Sequence, residues 1–396
     1  MKTYLDKNVY EAALERIAYC FQEFDNVLVA FSGGKDSGVL LNLCYNYADE
    51  HGLLDKLTMY HLDYEAQYQM TTEYVTRTFL EQFPGIRKMW YCVPIKAQSA
   101  CALGEPYWTP WDAAKKKLWV RAMPENPYVV HEGNLDVPFR HGMVDYEFQD
   151  KLSRHFAKKR GTTAVMVGLR ADESLNRYAA VARGKKRRSY EGRKWITQTS
   201  AVTANVYPLY DWRVSDIWTA TARFGFDYNR LYDLLYQAGL TAGQMRVASP
   251  FNDCAQESLK LYKVIDPSNW ARMIGRVNGV NFTGLYGGTT AMGWKTIKLP
   301  PGHTWKSYYE FLLSTMDART AAHYNNILEK SKRYWMQGGT VDPGTADEVL
   351  AAYPLAAVTG KSGRYDGRDI VQFMGYPDDM PVSNFRPLTS ACASAS

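Results

Sequence analysis

Over its first 220 residues the chain alternates between short apolar runs and segments in which apolar residues recur every three or four positions. The apolar runs predict strands at residues 26–31, 57–62, 86–93 and 164–169. The helical spacing predicts helices at residues 36–47, 67–83 and 145–159. Because strands and helices alternate, we expect right-handed βαβ units and a parallel sheet with helices on both faces.

The pattern changes in two later places. Residues 94–144 are punctuated by prolines and crowded with tryptophans, and so long a stretch without a period predicts an insertion folded over the active edge of the sheet. Beyond about residue 219 helices are predicted at 229–238, 269–277, 304–316 and 321–336, the third with Thr304 as N-cap. We therefore predict an α/β domain over residues 1–220, including the insertion, and a mostly helical domain over residues 221–396.

Composition narrows the class of protein. The 396 residues are 46% hydrophobic and 22% charged, which is ordinary for a globular protein and argues against general disorder. No run approaches the roughly 20 apolar residues of a membrane span, and residues 1–10 lack the apolar stretch of a signal peptide. The six scattered cysteines form no CxxC pair, so we expect a reduced, cytoplasmic protein without a membrane partner. A net charge of +6 permits a polyanionic partner but does not require one.

A polar loop joins the first predicted strand to the first predicted helix, and it reads Ser32-Gly33-Gly34-Lys35-Asp36-Ser37. The glycines allow a sharp turn and a close approach to a ligand, and the loop amides and helix dipole make an anion site. Lys35 adds a positive charge, and the two serines add hydroxyl donors. The alternative is a tight glycine turn with Lys35 in solvent. The common P-loop pattern GxxxxGK[ST] is not met, since Asp36 follows Lys35.

The SGGKDS loop after an apolar strand resembles the PP-loop ATP pyrophosphatase superfamily. Residues 168–177 are similar to its GxRxxES..R segment, residues 207–218 to its PL.dW...DvW segment, and Asp63 to the aspartate that ends its second strand. Together they resemble the PAPS reductase branch. That resemblance implies an adenine nucleotide alpha hydrolase-like, Rossmann-like fold. It also implies an enzyme that cleaves ATP between its α and β phosphates. The nucleotide-binding residues it implies are Ser32, Gly33, Gly34, Lys35, Asp36, Ser37, Asp63, Gly168 and Glu173, with Lys35, Arg170 and Arg177 catalytic.

The whole chain resembles most closely the PAPS-reductase-like proteins known as immunoglobulin-binding regulator A, which co-activate prophage genes. Residues 284–299 are similar to their C-terminal domain of unknown function. This resemblance implies a ParB-like protein partner.

Cysteine usage separates two activities within that resemblance. PAPS reductases use a nucleophilic cysteine in a C-terminal Glu-Cys-Gly segment, whereas Cys392 here lies in Ala-Cys-Ala-Ser with no charged neighbour to lower its pKa. ATP with Mg²⁺ is therefore the predicted ligand pair, and PAPS is the alternative. A sulfonucleotide reductase, or a PAPS-binding relative without the thiol, remains the second interpretation.

Several candidate residues admit two interpretations. Arg170 and Arg177 suit a clamp on the α-phosphate or on a second anionic substrate, or alternatively a surface ion pair with Asp172 or Glu173. Asp63 suits the adenine, the ribose or water-mediated Mg²⁺, or alternatively the N-cap of the next helix. Asp36 is predicted either to assist Mg²⁺ or only to favour the helix N-terminus.

Residues 183–194 form a strongly basic segment directly after these arginines. One hypothesis is a lid over polyphosphate, formed by Lys185, Lys186, Arg187 and Arg188. A second is a nucleic-acid backbone contact with Tyr190 available to stack on a base. The third is a solvated loop.

These patterns together predict an ATP-binding enzyme that activates an unknown acceptor by adenylyl transfer and releases pyrophosphate. The alternatives are a reductase-like protein that binds PAPS and a nucleotide-gated regulator or nucleic-acid-binding module without turnover.

Overall fold

The computed structural model describes residues 6–102, 105–174, 177–178, 181, 189–247, 249–252, 255–287, 300–303, 305–322 and 324–326. Within these ranges the chain forms ten strands, β1 to β10: Asn26–Ala30, Leu57–Leu62, Arg87–Cys92, Ala97–Gln98, Tyr107–Trp108, Val129–His131, Thr163–Val167, Ser189–Tyr190, Arg193–Gln198 and Thr203–Val206. The helices, α1 to α11, are Val9–Glu23, Lys35–Glu50, Gln69–Leu80, Asp145–Arg160, Val214–Phe224, Leu231–Gln237, Gln256–Leu259, Tyr262–Ile265, Pro267–Arg276, Val280–Tyr286 and Trp305–Ser314.

Eight of these strands form one sheet in the order β6-β3-β2-β1-β7-β10-β9-β8. Six neighbouring strands of this order pair in parallel: β6, β3, β2, β1, β7 and β10. Strands β9 and β8 continue the sheet at one edge in antiparallel pairing. The predicted mostly parallel, Rossmann-like α/β fold is confirmed. The order places the carboxyl ends of β1, β2 and β7 side by side, which is where open α/β sheets bind ligands.

Both faces of the central strand β1 are buried. Successive side chains point to opposite sides of the sheet, and each side packs in its own apolar cluster. Val27 and Val29 pack in a cluster with Ile17 of α1 and Leu40 of α2. Leu28, on the other face, belongs to a separate cluster that includes residues of α4. This double burial explains why β1 is an unbroken apolar run.

The predicted elements of the first half form within a few residues of their expected bounds. The strands predicted at 26–31, 57–62, 86–93 and 164–169 correspond to β1, β2, β3 and β7, and the predicted helices to α2, α3 and α4. Helix α1 and strands β8 to β10 were not predicted. Strand β9 has one fully buried residue, Ile196, so its apolar pattern is weak.

The insertion contributes to the sheet as well as covering it. Strand β6 pairs with β3 at the parallel edge, and β4 and β5 form a small hairpin. A 3₁₀ helix at Ala113–Leu118 follows the hairpin. Arg121, just beyond it, donates a hydrogen bond to Asp63 at the carboxyl end of β2.

Residue contacts divide the chain into two compact units. The first holds the described residues of 6–98 and 107–278, and the second holds those of 99–106 and from Gly279 onwards. The domain boundary at residue 220 stays a prediction.

The predicted helical character of the C-terminal region is confirmed. From residue 225 onwards every regular element in the described part of the chain is a helix. The predicted N-cap Thr304 and residues 327–336 lie outside the described residues. No helix among those described combines the length and apolar character needed to cross a membrane.

Candidate nucleotide-binding site

The loop between β1 and α2 has the geometry of a cradle. Gly33 has φ +76°, a left-handed conformation that favours glycine, and a Cβ there would lie 2.9 Å from Val75 Cγ2. Gly34 is the N-cap of α2, and a Cβ there would lie 3.2 Å from Val247 Cγ2 and 3.4 Å from the Tyr232 hydroxyl. Both glycines are therefore required by close packing around the turn.

Hydrogen bonds within the loop hold it in shape. The Ser32 amide donates to Ser37 Oγ at 3.1 Å, and the Gly34 amide donates to Ser32 Oγ at 3.3 Å. Ser37 Oγ in turn donates to the Gly34 carbonyl at 3.0 Å. The two serines thus have a structural task in holding the turn of the loop.

The segment after β7 rests directly on this loop. A Cβ on Gly168 would lie 3.0 Å from the Asp36 carbonyl carbon and 3.0 Å from the Ser37 amide nitrogen. Because those neighbours are backbone atoms, a side chain at residue 168 would push the first turn of α2 away. Gly168 therefore brings Arg170 close to the start of α2.

Two buried cations meet at this point. Lys35 Nζ lies 2.9 Å from Asp36 Oδ2, and Arg170 contacts the other oxygen of the same carboxylate. Arg170 also pairs with Asp172 at 2.6 Å. The side chains of Lys35 and Arg170 are 4% and 3% exposed. The alternative of a solvent-facing Lys35 is therefore wrong, because Lys35 is enclosed. The ion pair of Arg170 with Asp172, which was the alternative to a phosphate clamp, is present, although the Arg170 guanidinium is buried.

The environment lowers the pKa of Lys35. Burial is the largest cause, and the nearby charges of Arg170 and Arg246 act in the same direction, while Asp36 opposes them. An enclosed cation with cationic neighbours gains from an anionic ligand, so this cluster can bind phosphate.

Glu173 lies between two further arginines. Arg177 Nη1 lies 2.7 Å from Glu173 Oε2, and Arg246 contacts the other carboxylate oxygen. The structure therefore links Glu173 and Arg177, as their i,i+4 spacing allows, and adds Arg246 from a distant part of the chain. We name the whole assembly the phosphate-loop cluster: Lys35, Asp36, Arg170, Asp172, Glu173, Arg177 and Arg246.

Three residues of the stretch after α5 contact the loop, which the sequence did not predict: Asn229, Tyr232 and Val247. The Lys35 amide donates to the Tyr232 hydroxyl at 3.2 Å, and Asn229 Nδ2 donates to the Gly33 carbonyl at 3.2 Å. Arg246 belongs to the same stretch. Nearly 200 positions separate these residues from the motif they contact, so no local spacing reveals them.

Asp63 ends β2 as expected, but it is committed to other protein groups. Its carboxylate accepts from Trp90 Nε1 at 2.7 Å and from Arg121 Nη2 at 2.5 Å, and it is 0% exposed. Burial alone would raise its pKa, but Arg121 and His61 outweigh burial and hold the pKa below its ordinary value. The alternative of an N-cap is wrong, because α3 starts at Gln69 after Tyr68.

Glu65 forms a second buried ion pair next to Asp63. It accepts from the Trp111 and Val120 amides at 2.6 Å and 3.0 Å, and from Arg276 Nε at 2.9 Å. Its φ is +63°, which is rare for a glutamate. We name Asp63, Glu65, Arg121 and Arg276 the anchor cluster, because it fastens the insertion to the end of β2.

The predicted magnesium role of Asp36 stays a prediction. One carboxylate oxygen of Asp36 accepts a hydrogen bond from Lys35, and the other accepts one from Arg170. In the described part of the chain, no group of three or more His, Cys, Asp or Glu side chains is arranged to hold a metal ion. Magnesium that accompanies a nucleotide is held chiefly by phosphates with one or two carboxylates, so such a group is not required.

The proposed basic lid cannot be placed. Lys185, Lys186, Arg187 and Arg188 lie outside the described residues. Tyr190 is described, and its hydroxyl donates to Glu23 at 2.6 Å while its ring lies 5.2 Å from that of Phe24. These contacts hold Tyr190 against α1, so its ring is engaged within the protein.

Two family models together match nearly the whole chain. The phosphoadenosine phosphosulfate reductase domain matches residues 26–238, and a domain of unknown function, DUF3440, matches residues 239–392. The uncharacterized protein YbdN of Escherichia coli K12 is 34% identical over 353 residues, which cover 88% of this chain and 85% of that protein.

Solved structures show weaker likeness. The phosphoadenylyl-sulfate reductase of Candida auris, in a phosphate complex, is 14% identical and covers 59% of this chain and 93% of its own, with a TM-score of 0.33. The FMN adenylyltransferase of Candida glabrata, in complex with FMN and an ATP analogue, is 14% identical and covers 59% of this chain and 63% of its own, also with a TM-score of 0.33. Scores this low carry no weight for the activity of this chain.

The reductase-domain model spans just over half of the chain, and the match to YbdN extends over most of both proteins. The motifs at residues 32–37 and 168–177 lie within the matched region and meet at one end of the sheet. The chain therefore belongs to the phosphoadenosine phosphosulfate reductase domain family, followed by a DUF3440 region.

Proposed function

We propose that this protein binds ATP and cleaves it at the α-phosphate, releasing pyrophosphate and passing the adenylyl group to an acceptor. One observation carries the proposal: a glycine cradle at the end of β1 holds two buried cations, Lys35 and Arg170, beside the N-terminus of α2. Helix N-termini and enclosed cations both favour phosphate. The SGGKDS pattern supports ATP in preference to PAPS.

The proposed reaction is an in-line displacement. A nucleophile on the acceptor attacks the α-phosphorus, the bond to the bridging oxygen breaks, and pyrophosphate leaves with that oxygen and the electron pair. The loop and Lys35 stabilise charge on the leaving group, while Arg170 and Arg177 stabilise the α-phosphate. Such chemistry needs positioning and charge, and it needs no nucleophile from the protein.

Ligand binding on this proposal is an exchange of partners. In the described structure Asp36 neutralises both Lys35 and Arg170. Phosphate oxygens would replace Asp36 on these cations, and the released carboxylate would then be available to Mg²⁺ through water. This exchange gives Asp36 a role in both states.

PAPS binding is the rival interpretation within the same site, and the family description supports it. A reductase would also need a thiol, and Cys392, which lies outside the described residues, has no charged sequence neighbour to activate it. A nucleotide-gated regulator would bind ATP without cleavage. A ParB-like protein partner, a prophage co-activator role and nucleic-acid contact through residues 183–194 remain proposals that rest on the sequence resemblance and charge.

Calorimetric titration with Mg-ATP and with PAPS tests the ligand. We expect wild-type protein to prefer ATP, Lys35→Ala to weaken ATP binding, and Gly34→Val to abolish it because residue 34 is enclosed on three sides. Lys7→Ala is the control, since Lys7 pairs with Glu15 on the surface. Wild-type affinity for ATP in both loop variants would contradict the assignment.

Product analysis tests the reaction. Labelled ATP incubated with the protein and candidate acceptors should give AMP or an adenylylated acceptor, together with pyrophosphate. Clean formation of ADP and phosphate would show that cleavage occurs at another bond. Tight ATP binding with no cleavage in the presence of any partner would favour the regulator.

A further inference from the structure

We propose that Arg246 is a binding residue for the pyrophosphate part of the nucleotide, supplied to the phosphate loop by the region of unknown function. Residue 246 lies beyond the reductase-domain match and inside the DUF3440 match. The inference rests on the proposed function and names a residue that the loop motif does not contain.

The position of Arg246 is fixed by its neighbours in sequence. Met245 and Val247 are buried, at 4% and 7% exposure. Val247 packs against the loop, 3.2 Å from where a Cβ on Gly34 would lie. Arg246 is therefore flanked by two buried apolar residues, one of which packs against the loop, and this placement does not depend on the charge of Arg246.

The electrostatics of the cradle include Arg246 directly. Its charge is one of the causes that lower the pKa of Lys35, so the two cations act on the same region. The side chain of Arg246 is 21% exposed, compared with 3% for Arg170. Arg246 is thus more open than Arg170 to a ligand that arrives from solvent.

The carboxylates of the cluster are shared among its cations. Lys35, Arg170, Arg177 and Arg246 pair with three carboxylates, Asp36, Asp172 and Glu173. Glu173 serves both Arg177 and Arg246. A phosphate group can replace Glu173 on the guanidinium of Arg246, since the planar fork of arginine fits phosphate as well as carboxylate.

The location also indicates which end of the nucleotide Arg246 meets. Val247, its neighbour in sequence, packs against Gly34 of the loop, and Arg246 itself shares Glu173 with Arg177. The loop is the part proposed to hold pyrophosphate. Arg246 should therefore contribute to binding of ATP and pyrophosphate, and it should contribute nothing to binding of AMP.

Titrations of Arg246→Gln with ATP, inorganic pyrophosphate and AMP test this selectivity. We expect affinity for ATP and pyrophosphate to fall roughly 10- to 100-fold, the range for a lost charge-assisted hydrogen bond, while AMP affinity is retained. Arg246→Lys should recover part of the loss. Arg230→Gln is the matched control, because Arg230 pairs with Asp233 on the surface of the same stretch and should behave as wild type.

A second variant separates binding from support of the fold. Glu173→Gln leaves Arg246 in place and removes its competing carboxylate, so pyrophosphate affinity should rise. A fall in pyrophosphate affinity as large as that of Arg246→Gln would show that the ion pair itself matters, and it would overturn the proposal. Equal losses for ATP, pyrophosphate and AMP in Arg246→Gln would do the same.

The controls also distinguish this inference from the proposed function. If wild-type protein binds ATP and pyrophosphate and Arg246→Gln binds both with the same affinities, the proposed role of Arg246 is wrong while the proposed function stands. Wild-type protein that binds neither ligand would overturn both. Thermal unfolding of each variant, compared with Arg230→Gln, ensures that the affinities are measured on folded protein.

Discussion

Two ionic clusters lie at the carboxyl ends of neighbouring strands, and they differ in their access to water. In the anchor cluster the carboxylates Asp63 and Glu65 are both 0% exposed. In the phosphate-loop cluster the side chains of Asp36 and Asp172 are 15% and 37% exposed. Glu173 in the phosphate-loop cluster is 7% exposed. Water therefore reaches the two aspartates of that cluster, whereas it reaches neither carboxylate of the anchor cluster.

The partners differ in the same way. Glu65 accepts from two backbone amides and from Arg276, which itself donates to the Thr109 carbonyl at 2.6 Å. These bonds join the end of β2 to the insertion and to α9. In the phosphate-loop cluster, by contrast, the carboxylates pair with lysine and arginine side chains.

This difference indicates what each cluster does. A buried charge whose partners are backbone groups cannot be exchanged without opening the fold, so the anchor cluster holds the chain together. A cation whose carboxylate partner reaches solvent can exchange that partner for a phosphate. Residue type and location alone would have assigned both clusters to ligand binding. The two clusters are distinguished by how deeply their carboxylates are buried and by whether backbone groups occupy the hydrogen-bonding positions of those carboxylates.

The largest expected effect is on the anchor cluster. Glu65→Ala removes the partner of Arg276 and of two buried amides, so we expect the free energy of unfolding to fall by about 3–5 kcal/mol. Denaturant unfolding measures it. Glu15→Ala, which breaks the exposed pair with Lys7, should cost at most about 1 kcal/mol. If Glu65→Ala were as mild as this control, the anchor role would be wrong.

Local motifs explain what the sequence could predict. The SGGKDS loop, Arg170 and Arg177 could be identified from the sequence because each belongs to a short motif that follows a predicted strand. Helix α1 could also have been predicted, since Asn8 and Glu11 have the residue types and spacing of a capping box, which they form in the structure. The predicted lid, in contrast, falls on residues 185–188, for which the structure offers no placement.

Long-range contacts explain what it could not predict. Arg246, Tyr232 and Asn229 reach the loop only because the chain returns to it after the sheet is complete. Glu65 adopts a left-handed backbone that no pattern of glutamate predicts. Asp63 has the expected position, but its pairing with Arg121 depends on how the insertion folds.

The second prediction concerns the contact between β7 and the phosphate loop. Gly168→Ala places a methyl group against backbone atoms of α2, so the loop must shift, and we expect ATP affinity to fall at least about 10-fold, as for loss of a charge-assisted contact. Gly243→Ala is the matched control because its Cβ meets nothing within 4 Å. Equal affinities of the two variants for ATP would mean that the loop tolerates the displacement.

The third prediction uses the lowered pKa of Lys35. Only the protonated amine attracts phosphate, so ATP affinity should fall as pH rises through this pKa, below the pH at which an ordinary lysine loses its proton. Affinity should approach that of Lys35→Ala at the alkaline end. Lys35→Arg should remove this dependence, because arginine stays charged. Titrations from neutral to alkaline pH measure the effect, and a flat wild-type profile would contradict it.

The smallest expected effect tests whether the backbone donors of the phosphate loop can also be exchanged. Tyr232 is buried, and its hydroxyl accepts from the Lys35 amide. Tyr232→Phe keeps the ring contact with Trp218 and removes only that acceptor. The free energy of unfolding should therefore fall by about 0.5–1.5 kcal/mol, the cost of one neutral hydrogen bond.

Nucleotide binding should respond differently from stability in this variant. If the phosphate accepts a hydrogen bond from the Lys35 amide in the complex, it displaces the Tyr232 hydroxyl, so only the free protein loses a partner in Tyr232→Phe. This variant should then bind ATP up to about 10-fold more tightly than wild type while unfolding more easily. Tyr236→Phe on the same helix is the control, since Tyr236 is 73% exposed and should alter neither quantity. Unchanged affinity for ATP, together with the loss of stability, would show that Tyr232 keeps the amide when nucleotide binds. The loop would then resemble the anchor cluster, with fixed backbone partners, and exchange would be confined to its side chains.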